Sequence, residues 1–423
     1  MNAINTFLNL TADRDAGRIT GLTSVCSAHP LVIEAGLIEA RAADQIPCIE
    51  ATCNQVNQDG GYTGMTPQGF RDLVAKIAAT LGIEMNSIVL GGDHLGPNPW
   101  RDLQANEAMD KAIVMTRDYA AAGFGKIHLD ASMSCADDPT PLPPATVAAR
   151  AALLAQAAEE GAAAGGFPAP GYIIGTEVPV PGGAAEALDH VEVTTPDDAA
   201  ATVALHVKSF TDNGLEDALK RIVALVVQPG VEFGQTDLHT YDRKAAQALT
   251  DWRNSTGGIV FEAHSTDYQT PTALSELVQD GYAILKVGPG LTLALREAYY
   301  QLDQLAGEIS ADYAAGSLPE AMEQLMLANP KYWQPYVDGD AAMQKHQRHE
   351  GLSDRIRYLW PAPEAVEAIN RLMSALGQDP ISVSFIQKYL PQLAADSEMT
   401  AEEILIAAVR NALSGYTAAC AQS

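Results

Sequence analysis

Ile88-Val-Leu-Gly-Gly-Asp-His-Leu-Gly-Pro97 is the stretch whose reading decides the fold. Its apolar start, Ile88 to Leu90, has the make-up of a short buried strand. Two glycines end that strand, and Asp93 and His94 stand side by side where it opens into a Gly/Pro loop. An acid and an imidazole in that position can supply a general base and a metal ligand within a few ångströms.

The same unit recurs on both sides. Strand-like runs at 21–26 and 46–52 precede it, followed by helices at 30–43 and 67–81, the second with Thr66 as N-cap and Pro67 at its first position. The third strand, 87–90, leads to a helix at 106–122. Strands at 126–132, 172–178, 221–228, 258–264 and 282–288 follow, with helices at 144–163, 197–210, 242–254, 271–279 and 291–304. Eight short apolar strands alternating with helices predict parallel pairing through helical crossovers, and the count of eight points to an α/β (β/α)8 TIM barrel. No GxGxxG follows the first strand, which weakens a dinucleotide-binding reading. Residues 1–317 are assigned to the barrel with a short helical preface. Residues 318–423, where helices alone are legible, are assigned to a helical C-terminal subdomain.

Composition narrows the function. Acids outnumber bases 53 to 26 in 423 residues, a formal net charge of -27, so no nucleic-acid or anionic-membrane partner is expected. The five cysteines are odd in number, scattered and without a CxxC, which fits reduced thiols in the cytoplasm. Neither a signal peptide nor an apolar membrane span is legible.

Barrel enzymes build their sites at the carboxyl ends of the strands. In chain order those ends carry His29; Glu50, Asn54 and Gln55; Asp93 and His94; His128, Asp130 and Ser132; Thr176 and Glu177; Gln228 and Glu232; Glu262, His264, Ser265 and Asp267; and Lys286. So many polar groups at converging tips do not suit a packed core. His128 alone reads more readily as structural, Glu262 could face a helix, and Lys286 could pair with a neighbouring acid. Asp93, His94, Glu232 and His264 together suit a catalytic divalent-metal site with an open position. Gly288, in Val287-Gly-Pro-Gly-Leu-Thr292, offers backbone N–H groups to a phosphate. The loop 54–64 reads as a cover for the mouth or a plain surface loop. Ser353-Asp-Arg-Ile-Arg-Tyr358 reads as a capped helix start, or as a place where Arg355 and Arg357 bind a sugar phosphate or a partner's acids.

Ser24-Val-Cys-Ser-Ala-His-Pro30, Gly175-Thr-Glu-Val-Pro-Val-Pro-Gly-Gly183, Val227-Gln-Pro-Gly-Val-Glu232, Glu262-Ala-His-Ser-Thr-Asp-Tyr-Gln269 and Ser353–Tyr358 carry a resemblance, with Ser132-Met-Ser-Cys135, the 54–64 loop and Gly91–Pro97. The chain resembles the Z-type, "non-catalytic" subunit of class II D-tagatose-1,6-bisphosphate aldolase, from galactitol and amino-sugar catabolism, over roughly residues 15–415. That family is related to metal-dependent ketose 4-epimerases and similar to catalytic class II aldolases. The resemblance implies Asp93 as base, with His94, His264 and, where the aldolases have a histidine, Glu232 as ligands of a divalent metal, zinc first and manganese or another ion as alternatives. It implies a ketose or ketose phosphate as substrate, with cleavage at C3–C4 ending in 4-epimerisation or in aldol products. Glu177 and Asp130 join Asp93 as catalytic residues. His29, Asn54, Gln55, His128, Ser132, Gln228, Ser265, Asp267, Lys286 and Gly288 are expected to bind substrate. The other reading is an accessory subunit that stabilises and activates a separate class II aldolase, and it prevails if Glu232 does not reach the ion held by His94. A homo-oligomer is expected. A kinase is the weakest reading, because no GxxxxGK[ST] loop is present.

Overall fold

The computed structural model describes residues 2–176 and 191–421. Eight strands, β1 (Leu22–Cys26), β2 (Cys48–Thr52), β3 (Val89–Leu95), β4 (Lys126–Leu129), β5 (Gly171–Ile174), β6 (Ile222–Val226), β9 (Val260–Ala263) and β10 (Ile284–Val287), form a closed barrel. Its order is β1-β10-β9-β6-β5-β4-β3-β2, and every pair is parallel. Between β6 and β9, β7 (Glu232–Phe233) and β8 (Leu238–His239) make a small antiparallel hairpin. The (β/α)8 expectation is met, because each barrel strand is apolar enough to be covered on both faces.

β3 departs from the expectation. The strand does not stop at Leu90 but runs through both glycines to Leu95. Gly91 is there for space, since a Cβ would lie 2.5 Å from Cγ of Glu50. A Cβ on Gly92 would lie 2.7 Å from Leu95 and 2.8 Å from Tyr119. The register shifts between Gly92 and Leu95, and His94 takes a left-handed φ of 50°. In a regular strand Asp93 and His94 would face opposite sides. The bulge turns both toward the barrel mouth.

The N-terminal helix Ala3–Asp15 closes the other end, with Ala3, Phe7 and Leu10 packed among Leu22, Cys48, Val89 and Ile284. C-terminal to the barrel lie helices Ser317–Ala328, Ala341–Glu350, Pro363–Leu376, Val383–Tyr389 and Ala401–Cys420. The apolar core is continuous across the expected boundary, joining Val25 and Leu285 to Met322, Leu372 and Ile404. The last helix packs between helices Pro271–Gln279 and Pro30–Ala42 and beside Pro289–Ile309, completing the outer ring. The Gly21 N–H donates to the Cys420 carbonyl at 3.2 Å, and the Tyr416 hydroxyl to the Thr266 carbonyl at 2.6 Å. No helix among the described residues is long and apolar enough to cross a membrane.

Candidate active site

A buried cluster of charges fills the upper barrel. Lys126, at the start of β4, lies 2.7 Å from Glu50 on β2 and 2.8 Å from Glu262 on β9. Lys286, on β10, lies 2.5 Å from Glu50 and 3.1 Å from Asp93. Three imidazoles stand above them, His94, His128 and His264, with ring centroids 4.9–5.1 Å apart. Each has a carboxylate partner. His94 Nδ1 is 2.7 Å from Asp130, His128 Nδ1 2.9 Å from Asp93, and His264 Nε2 2.9 Å from Glu262.

The charge states follow from the surroundings. Burial disfavours ionised Asp93, but His94, Lys286 and the His128 hydrogen bond outweigh it and hold Asp93 well below the usual carboxylate range. Burial is likewise overcome at Asp130, brought to about 2 by its hydrogen bond to His94, and at Glu262, lowered by Lys126 and Lys286. Ionised carboxylates only accept, so each contacting ring nitrogen carries the proton. For His128 the 2.9 Å contact to Asp93 outweighs the His94 N–H, 3.2 Å from the same nitrogen. The second ring nitrogens, Nε2 of His94, Nε2 of His128 and Nδ1 of His264, are left for a ligand. His128 Nε2 is buried with no hydrogen-bond partner among the described residues.

This donor set fits a divalent cation. Four buried carboxylates, Glu50, Asp93, Asp130 and Glu262, face two buried ammonium groups, Lys126 and Lys286. With neutral imidazoles, two negative charges remain uncompensated, and unpaired buried charge is costly. The excess is visible at His94. Burial lowers its pKa, yet Asp93 and Asp130 hold it above the ordinary value. His264, by contrast, is lowered to about 4 by burial. Carboxylates behind imidazoles are the usual way to orient metal ligands. Ligand atoms of Asp93, His128, Glu262 and His264 lie within 4.8 Å of one another.

His94 is outside that group, although its ring stands 5.0 Å from that of His128 and 4.9 Å from that of His264. Glu232 is outside it too. Its carboxylate accepts the Phe233 N–H at 3.0 Å and bonds the Ser265 side chain. Glu177 lies outside the described residues. Asp130 sits behind His94 and accepts the Ser132 hydroxyl at 2.6 Å, so both support an imidazole and do not line the cavity. The Gln228 side chain accepts the N–H groups of Gly230 and Val231 at 2.8 and 2.9 Å, which makes it a turn former. Glu262 faces inward, because β9 is regular enough to keep it on the side of His264.

A cavity of about 480 Å3 opens over the cluster. Asp93, His94, His264 and Lys286 form its floor, and His29, Asn54, Gln55, Ser265, Asp267 and Gly288 its walls. His29 also caps helix Pro30–Ala42, Nδ1 accepting the Leu31 N–H at 3.3 Å. The 54–64 loop is held on itself by Asn57, which accepts the N–H groups of Asp59 and Gly61, and it contributes Tyr62 to the cavity. Cys26 also lines the cavity, its thiol 3.3 Å from Asp93. The Gly288 loop does not offer free N–H groups. Asp267 accepts from Gly288 at 3.0 Å and from Gly290 at 2.7 Å.

The roof comes from the C-terminal region. Arg357 and Tyr358 line the cavity from the short 3-10 helix Arg355–Leu359. Ser353 does not cap it; its hydroxyl is buried without a hydrogen-bond partner among the described residues. Arg357 donates to the backbone carbonyls of Ser353 and Asp354 and, at 2.9 Å, to the Tyr358 hydroxyl. Among the described residues no carboxylate forms an ion pair with it, although its charge acts on Asp267 and Asp354. Arg355 instead stacks on Tyr336, 3.6 Å from the ring centroid.

With this geometry in hand, comparison with known proteins is informative. The chain is 51% identical over 413 residues to a D-tagatose 6-phosphate 4-epimerase of Agrobacterium fabrum, covering 97% of each. It is 48% identical over 410 residues to the D-tagatose-1,6-bisphosphate aldolase subunit GatZ of Klebsiella pneumoniae, covering 96% of this chain and 97% of that one. A crystal structure described as a probable tagatose 6-phosphate kinase from Sinorhizobium meliloti 1021 matches with a TM-score of 0.87 at 49% identity, over 95% of this chain and 100% of that one. The family model for D-tagatose-1,6-bisphosphate aldolase subunit GatZ/KbaZ-like proteins matches residues 7–421, and the chain belongs to that family.

Proposed function

We propose that the chain is a divalent-metal-dependent ketose-phosphate enzyme that interconverts tagatose and fructose configurations at C4 by retro-aldol and aldol chemistry. The observation that carries this is the buried cluster of three carboxylate-backed imidazoles, in which four carboxylates face two ammonium groups, opening on a cavity lined by Arg357. The 51% identity to an enzyme named for this reaction supports it.

His94 and His264, which face the cavity, would hold the ion together with His128. Nitrogen donors backed by carboxylates suit zinc first and manganese second. Glu232, expected as third ligand, would have to give up the Phe233 N–H and Ser265, whereas His128 already stands in the cluster. With His128 as the third donor, the loss of Glu232 no longer decides for the accessory reading. When bound, the ion polarises the C2 carbonyl and offsets negative charge on the enediolate.

The chain's own residues do the rest. Lys286 and His128 keep Asp93 ionised, and Asp93 takes the C4 hydroxyl proton as the C3–C4 bond breaks. The bond's electrons pass to the C2 carbonyl, leaving a three-carbon enediolate and an aldehyde that carries the phosphate. Arg357 holds that phosphate, so the aldehyde stays, turns and presents its other face. C3 re-forms the bond, and Asp93 returns the proton to the new C4 oxygen. Asp130 acts through His94 and is a positioning residue.

The test is incubation of the purified, zinc- or manganese-loaded chain with tagatose 6-phosphate. Fructose 6-phosphate should accumulate, and elemental analysis should find about one ion per chain. The second reading, an accessory aldolase subunit, is favoured by the identity to GatZ. It wins if no isomer forms and no metal is retained while a co-expressed class II aldolase gains activity. Cytoplasmic location and a homo-oligomer complete the proposal, checked by fractionation and by gel filtration.

A further inference from the structure

The cavity contains a place where a barrel of this kind would hold a phosphoryl group, and the chain has filled it with its own acid. Helix Pro289–Ile309 begins directly after β10, and Gly288, Pro289 and Thr292 at its start line the cavity, where free backbone N–H groups would suit a phosphate. Asp267 takes two of them, those of Gly288 and Gly290, on one oxygen. The fit is built for a carboxylate. A Cβ on Gly290 would stand 3.1 Å from that oxygen. Asp267 is 2% exposed and lines the cavity.

Nor can the acid readily swing aside. Ser265 and Tyr268, on either side of it, both hold left-handed φ values, 53° and 65°, which persist only where the surroundings over-determine them. Those surroundings are three separate anchors. The Thr266 hydroxyl donates to the Lys286 carbonyl at 2.6 Å, Tyr416 from the last helix donates to the Thr266 carbonyl at 2.6 Å, and Tyr268 donates to the Leu352 carbonyl. The loop is pinned to the barrel, to the last helix and to the roof.

We infer that Asp267 is a specificity residue that excludes a phosphoryl group from the β10 end of the cavity and accepts a sugar hydroxyl there instead. The substrate class is therefore a ketose bearing one phosphate, held at Arg357, and not a ketose bisphosphate. This rests on the ketose-phosphate reading above and narrows it. An anionic oxygen accepts a hydroxyl proton at hydrogen-bond distance but meets a phosphate dianion with like-charge repulsion.

The test uses the full-length chain and two unreactive probes, a hexitol 6-phosphate and the matching hexitol 1,6-bisphosphate, measured by isothermal titration calorimetry. The wild type should bind the monophosphate at least roughly 100-fold more tightly. Asp267→Asn keeps an oxygen to cap Gly288 and Gly290 but removes the charge, and should narrow the ratio to under about tenfold. Asp267→Gly, which frees both N–H groups, should bring the bisphosphate to parity or better. Equal affinities in the wild type, or an unchanged ratio in Asp267→Asn with native circular dichroism, would overturn the role of Asp267 and leave the ketose-phosphate reading standing. Binding of neither probe to the wild type would overturn that reading and this inference with it.

Discussion

Replacing Lys126 by Met tests whether the barrel interior is held by charge balance. Lys126 is fully buried, and its ammonium group is shared between Glu50 and Glu262 at 2.7 and 2.8 Å. Met has similar volume, so the cavity term is small and the loss is electrostatic. Removing one partner of a buried ion pair costs about 3–5 kcal/mol, because the acid left behind is uncompensated. That is a large part of the roughly 5–15 kcal/mol that holds a typical fold. The assay is urea unfolding of the metal-free protein, followed by circular dichroism. Adding Glu262→Gln removes the stranded charge, so Lys126→Met/Glu262→Gln should recover more than half of the loss. The single variant carries three uncompensated acids where the wild type carries two, so the midpoint shift on adding zinc should be larger in it than in the wild type. A Lys126→Met protein within about 1 kcal/mol of the wild type would refute the argument, as would a double variant no better than the single.

Other consequences are as concrete. Asp130→Asn should lower zinc affinity roughly 10- to 100-fold by loosening His94 while leaving the fold intact, read by competition with a chromogenic chelator. Arg357→Met should raise KM for a ketose 6-phosphate roughly 100-fold, with little change for the unphosphorylated ketose. His206 is buried, its Nδ1 2.9 Å from the Thr202 carbonyl and its pKa lowered to about 4 by burial. Its folded pKa lies below the unfolded value, so its contribution is full above about pH 6.5 and is lost as the pH falls toward 4, up to about 3 kcal/mol. The stability gap between the wild type and His206→Gln should shrink over that window, in urea titrations at stepped pH. Gly91→Ala drives a Cβ to 2.5 Å from Glu50 and should cost about 1–3 kcal/mol, or soluble expression.

Much of the barrel was legible because each strand is a short apolar run between Gly and Pro turns, a pattern the chain repeats eight times. The end of β3 was not. Two consecutive glycines read as a turn, whereas here they make room for Glu50 and Tyr119, a requirement set by residues distant in sequence. Lys126 escaped notice because a lysine opening a strand usually reaches solvent. Alternation held the clue: Lys126, His128 and Asp130 share one face, so an inward His128 implies an inward Lys126. Arg357 was legible as an anion-binding candidate, but its place over the mouth depends on how the C-terminal helices return. The sequence makes Asp267 a substrate-binding candidate and Gly288 a phosphate cradle. Only the folded loop reveals that one occupies the other.

The last helix has a consequence for how the molecule is made. Gln45, near β2, donates at 2.6 Å to the carbonyl of Thr417, 372 residues further on. Until residues 401–420 have left the ribosome, the ring around the barrel has a gap beside helix Pro30–Ala42, which then lacks its final cover. A domain closed by contacts this distant in sequence folds late and passes through species with exposed apolar faces. Nascent chains arrested before residue 400 should therefore be protease-sensitive throughout the barrel and recruit chaperones, and an added peptide of residues 401–420 should relieve both.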